Sequence, residues 1–102
     1  MNLYQIGPDW VRGRRLGDLV EIYIALPAMT GLSGNGVYLA SSAAIIPAGW
    51  RPPGLRYGGG AATQPGVDFH PVTYQIDTAG LVRLFKNANA TAGFYGSVMY
   101  RL

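Results

Sequence analysis

Apolar residues recur at every second position through most of this chain, and a period of two admits strands where a period near 3.6 would admit helices. In residues 19–26, Val20, Ile22, Ile24 and Leu26 share one side while Glu21, Tyr23 and Ala25 share the other, the pattern of a half-buried strand. Gly17-Asp18 reads as a turn, and Val11, Gly13 and Arg15 alternate with Arg12, Arg14 and Leu16 before it, so residues 10–26 predict a hairpin. A second hairpin follows from Val72, Tyr74 and Ile76 alternating with Thr73, Gln75 and Asp77, a turn at Thr78-Ala79-Gly80, and Val82 and Leu84 on the return. In residues 93–101, Phe94, Gly96, Val98 and Tyr100 oppose Tyr95, Ser97, Met99 and Arg101. Both faces carry apolar bulk, which suits a strand central in a sandwich or one lying between its own core and a neighbouring subunit.

Residues 37–46 read as a further strand of small and branched residues ending at a sharp corner, Ile45-Ile46-Pro47-Ala48-Gly49-Trp50-Arg51-Pro52-Pro53. Pro47 removes a ladder donor and stops the strand. With Pro47 second and Gly49 fourth, residues 46–49 predict a type I turn, and Pro52-Pro53 hold the exit extended. Pro47, Gly49, Trp50 and Arg51 then form a structural corner, with Trp50 covering the open end of the core or plugging a subunit interface and Arg51 stacked or paired beside it. Trp10 is assigned the same kind of role. From Pro52 to Pro71 no period survives the run of glycines, which predicts a loop of about 18 residues, a length usual for functional or mobile segments. Six or so strands and no amphipathic helix in one domain over residues 1–102 predict an all-β fold, an antiparallel, jelly-roll-like β-sandwich.

Charged residues make up 13% of the 102, about half the roughly 25% usual in soluble domains. A surface so short of charge predicts partial cover by other chains. The net charge of +3 is too small to announce a nucleic-acid partner. Arg12 and Arg14 point to one side of their strand and Arg15 to the other, which fits a solvated edge strand better than a phosphate patch. There is no cysteine, hence no disulfide framework and no thiolate metal site. No basic start followed by an apolar stretch marks an export signal, and no apolar run nears the roughly 20 residues that span a bilayer.

Enzyme chemistry has thin material here: one histidine, one lysine and five acids. His70 stands two residues from Asp68, but no Gly-x-Ser-x-Gly elbow surrounds a serine, and one histidine with scattered acids builds no zinc site. The triple glycine lacks the Lys-Ser/Thr pair and helix of a phosphate loop. The expectation is a non-enzyme without cofactor or metal. Carbohydrate binding asks for an exposed ring beside fixed hydrogen-bonding groups, and Arg56 with Tyr57, and Asp68 with His70, supply those types at the two ends of the long loop.

Taken in order, Trp10, residues 15–22 (RLGDLVEI), 45–52 (IIPAGWRP), 76–82 (IDTAGLV) and 96–100 (GSVMY) resemble the C-terminal head domain of tailed-bacteriophage tail fibres and related receptor-binding proteins. The resemblance implies a homotrimeric β-sandwich on the virion, assembled in the host cytoplasm among other virion proteins. It implies attachment to host cell-surface carbohydrate and no enzyme activity, and the charge and hydropathy above add the expectation of no nucleic-acid partner and no membrane insertion. The alternative within the same setting is a capsid decoration, cement or tail-cap protein that holds viral neighbours instead of sugar.

Overall fold

The computed structural model describes residues 1–27, 37–39, 43–64, 67–86 and 93–102, the side chains of residues 37, 63–64, 67–70 and 86 excepted. The chain is all-β and antiparallel, as its period predicts. Its strands are β1 (Asn2–Ile6), β2 (Asp9–Leu16), β3 (Leu19–Leu26), the two-residue β4 (Val37–Tyr38), β5 (Arg56–Gln64), β6 (Val67–Ile76), β7 (Val82–Lys86) and β8 (Phe94–Arg101). They join edge to edge in one sheet, in the order β1-β2-β3-β8-β5-β6-β7-β4, and the sheet curls into a half-barrel.

Turn chemistry sets the register of the hairpins. Gly17 takes φ +63° between β2 and β3, a left-handed conformation that costs glycine nothing, and the tight turn pairs Leu16 with Leu19. Between β6 and β7 the Asp77 carboxylate accepts from the backbone N–H groups of Ala79 (3.0 Å) and Leu81 (2.9 Å), as short acidic side chains do in turns. The concave face gathers Val11, Val20, Ile22, Ile24, Leu26, Val72, Tyr74, Ile76, Val82, Leu84, Phe94, Val98 and Tyr100 into one buried cluster. Each such aliphatic side chain contributes about 1.5–3 kcal/mol when fully removed from water.

Curling brings backbones too close for side chains at two strands. A Cβ on Gly58 would stand 2.0 Å from the Ser97 carbonyl oxygen, and one on Gly60 1.8 Å from that of Tyr95. These glycines let β5 press against β8, and the Tyr74 ring fills the space above them: a Cβ on Gly96 would meet Tyr74 at 2.4 Å. Residues 56–64 and 67–71 are therefore strand where a loop is expected. Glycine hides the alternation there because it has no side chain to alternate.

The corner also differs from expectation. Among the described residues of 37–46 only Val37–Tyr38 pairs as a strand, and Ile45 and Ile46 both donate their N–H to the single carbonyl of Gly80 (2.9 and 3.1 Å), a convergence that a regular ladder does not make. Pro47 has ψ 151°, which a type I turn excludes. The turn lies one residue later, closed by the Trp50 N–H on the Pro47 carbonyl (2.9 Å), with Ala48–Trp50 as one turn of 3₁₀ helix.

That displaced turn makes a strap across the open end of the half-barrel. Arg15 donates to the Gly49 carbonyl (2.7 Å) from β2. The Tyr100 hydroxyl donates to the Trp50 carbonyl from β8. Gly80, at φ +83°, has no room for a side chain beneath Arg51 and the Ile46 carbonyl, and Arg51 itself donates to that carbonyl (3.0 Å). Trp50 packs on the core over Gly13, whose added Cβ would meet the indole at 3.2 Å.

Candidate functional site: a trough on the outer face

The outer face of the same strands carries the residues left by the inward set: even positions on β2 and odd positions on β3, β5, β6, β7 and β8. Register lines them up in rows that cross the strands. One row runs Arg12↔Tyr23↔Ser97↔Gly59↔Thr73↔Phe85. Its middle is Ser97, Gly59 and Thr73, all small, and a Cβ at Gly59 would have nothing within 4 Å. Those three positions form the low floor of a shallow trough, and the larger Tyr23 and Phe85 stand at its two ends.

Large side chains flank it. Two residues along from the Ser97–Gly59 pair stand Met99 on β8 and Tyr57 on β5, exposed by 60% and 59%, and on the opposite flank Tyr95 is exposed by 41%. The Gln75 amide donates to the Tyr57 hydroxyl (3.3 Å) across the β5–β6 pair, which steadies that rim. Four strand spacings separate Tyr23 on β3 from Phe85 on β7, about 19 Å at ~4.8 Å each.

At the β2–β3 end, Glu21 lies almost buried on the outer face and accepts from both Arg14 Nε and the Tyr23 hydroxyl, the latter at 2.8 Å. The Arg14 bond first, then the Tyr23 bond, hold the Glu21 carboxyl below the ordinary carboxylate range, and the bond to Glu21 in turn raises the Tyr23 phenol. One row over, the Arg12 guanidinium lies 4.3 Å from the Trp10 ring centroid, a cation–π stack. At the far end Arg83 lies 4.9 Å from both the Tyr38 and the Phe85 rings.

The four residues expected to bind ligand are not gathered in one place. Tyr57 forms the trough rim, but Arg56 is its strand neighbour and projects to the opposite side, donating to the Leu55 carbonyl (3.0 Å). Asp68 and His70 lie on β6 with their side chains outside the described residues; His70 pairs with Ala62 while Arg56 pairs with Ile76, six residues and roughly 20 Å along the strand. Trp10 stands half-buried on the outer face instead of in the core. β1 pairs with β2 from Asp9 to Arg12, so Arg12 does not stand on an edge, while Arg14 lies beyond the paired stretch. Sequence reasoning missed the trough, though one signal for it stood in the outward set Tyr95, Ser97 and Met99.

Among the described residues no three His, Asp or Glu side chains gather as a metal site, and no helix is long and apolar enough to cross a membrane. No family model, curated protein or solved structure matches the chain, so the likeness to phage fibre heads rests on its ordered motifs alone.

Proposed function

We propose that this chain is a virion-surface binding module without catalytic activity, and that it attaches the particle to host carbohydrate through the outer-face trough. The observation that carries the reading is the small-residue floor Ser97, Gly59 and Thr73 between exposed Tyr57, Met99 and Tyr95. Rings beside a narrow floor suit the apolar faces of sugars, and Gln75 and Tyr23, each held by a hydrogen bond, with the hydroxyls of Ser97 and Thr73, offer polar groups around them. In the assembly we propose, three copies associate, each a jelly-roll-like sandwich in which β1-β2-β3-β8 faces β5-β6-β7-β4 across the core. Exposed Ile6, Leu16 and Leu55 away from the trough supply apolar surface for the copies to cover.

Glycan-array binding by the wild type and by Gly59→Val tests the site. Valine there projects into the trough from a Cβ that meets nothing within 4 Å, so binding should vanish while the fold is retained, and binding that persists would remove the trough as the site. Light scattering should give about three times 10.9 kDa; a monomer at micromolar concentration would overturn the trimer. Co-sedimentation with capsids in the absence of any glycan hit would favour the decoration reading.

A further inference from the structure

We infer that the β2–β3 end of the trough reads a carboxylate, so that the polymer it takes is an acidic polysaccharide. The inference rests on the carbohydrate reading above and names the class of sugar. Four aromatic or basic groups meet at this end, and their hydrogen bonds sort them by what remains available. Arg14 donates its Nε to Glu21, and the Tyr23 hydroxyl gives its proton to the same oxygen. Glu21 and Arg14 thereby neutralise each other. Tyr23 keeps an outward lone pair that can accept from a sugar hydroxyl.

Arg12 is different. It stands directly across from Tyr23, and neither of the ion pairs among the described residues involves it. Stacking on Trp10 at 4.3 Å holds the guanidinium plane while its edge N–H groups stay in position to form a fork, the geometry that meets a carboxylate with two parallel hydrogen bonds. A prearranged fork loses less side-chain freedom on binding than a mobile one.

The charge count selects the polymer. Glu21 cancels Arg14, so among the described residues this end presents one uncompensated cation beside uncharged rings and hydroxyls. Polyphosphate affinity grows with the number of charges neutralised along the backbone, and one fork supplies little of that. A sugar chain with a carboxylate at intervals places its rings on Tyr57 and Tyr95 and one acid group at Arg12. That complementarity favours a polyuronate over single-stranded nucleic acid.

Titration calorimetry with alginate, pectate and hyaluronan oligomers, with their carboxyl-reduced counterparts and with oligothymidylate, tests this on wild type, Arg12→Gln and Gly59→Val. At least one acidic oligomer should bind the wild type about tenfold or more tightly than its reduced form. Arg12→Gln should erase that difference, and Gly59→Val should abolish binding of both forms. Equal affinity for acid and reduced forms, with Gly59→Val still blocking, would overturn the carboxylate subsite and leave the trough standing. Absence of binding by every oligosaccharide would overturn both readings, and oligothymidylate bound more tightly than any uronate would replace the sugar by nucleic acid.

Discussion

The Tyr100 hydroxyl donates to the main-chain carbonyl of Trp50, fifty residues away in sequence. That bond fastens the central strand β8 to the strap, and it stands where burial pushes the Tyr100 phenol up to about 12. Tyr100→Phe should therefore cost about 1–3 kcal/mol, since the carbonyl loses its partner in a part-buried position, and thermal melting should show it. A phenol raised in the folded state adds stability below the ordinary tyrosine range near 10 and loses it as pH rises toward about 12. The wild type should therefore weaken through that window more steeply than the phenylalanine variant. Parallel curves would separate Tyr100 from the alkaline loss.

Two glycines one position apart should respond oppositely. Alanine at Gly60 drives a methyl into the Tyr95 carbonyl and should cost about 3 kcal/mol or more. Alanine at Gly59 meets nothing and should be neutral or stabilise by up to about 1 kcal/mol by restricting the unfolded chain. Urea midpoints of the two variants check this, and equal losses would mean that β5 is not pressed on β8 as described.

Tyr74 carries a buried hydroxyl with no hydrogen-bond partner among the described residues, and burial raises its pKa strongly. Removing that oxygen leaves the ring on Gly96 intact. Tyr74→Phe should then hold or raise the melting temperature, because it deletes an unsatisfied polar atom worth about 1–3 kcal/mol of desolvation. A clear drop would show that the hydroxyl has a partner in the folded chain.

Acid should loosen the β2–β3 end of the trough. The Glu21 carboxyl is lowered by Arg14 and then Tyr23, so its contribution is complete above the ordinary carboxylate range and is lost as pH falls through the lowered value. Chemical denaturation from neutral pH downward should show this fall in the wild type and a flatter profile in Glu21→Gln. The ring resonances of Tyr23 in NMR offer a local readout, and a pH-independent signal would count against the clamp.

The hairpins at Gly17 and at Asp77–Gly80 were readable because branched residues alternate up to a turn with the right chemistry. Residues 94–101 showed both their faces for the same reason. Strand β5 was not readable, since Gly58, Gly59 and Gly60 leave no pattern whether they face core, neighbour or solvent. Arg56 and Tyr57 were grouped as chain neighbours, yet neighbours on a strand look in opposite directions. The trough depends on which strands lie side by side, and pairing of β5 with both β8 and β6 is a fact of topology that no local pattern states.

The strap has a bearing on the order of folding events. Residues 45–51 sit mid-chain, yet they bond to Arg15 before them and to Gly80 and Tyr100 after them. The Arg15 and Tyr100 bonds need β2 and β8 in place on either side of the strap, and closure is expected on the far side of the folding barrier. Substitutions that weaken it, such as Arg15→Ala, should speed unfolding while leaving the refolding rate nearly unchanged. Stopped-flow kinetics would show the strap as a late latch whose release begins the opening of the barrel.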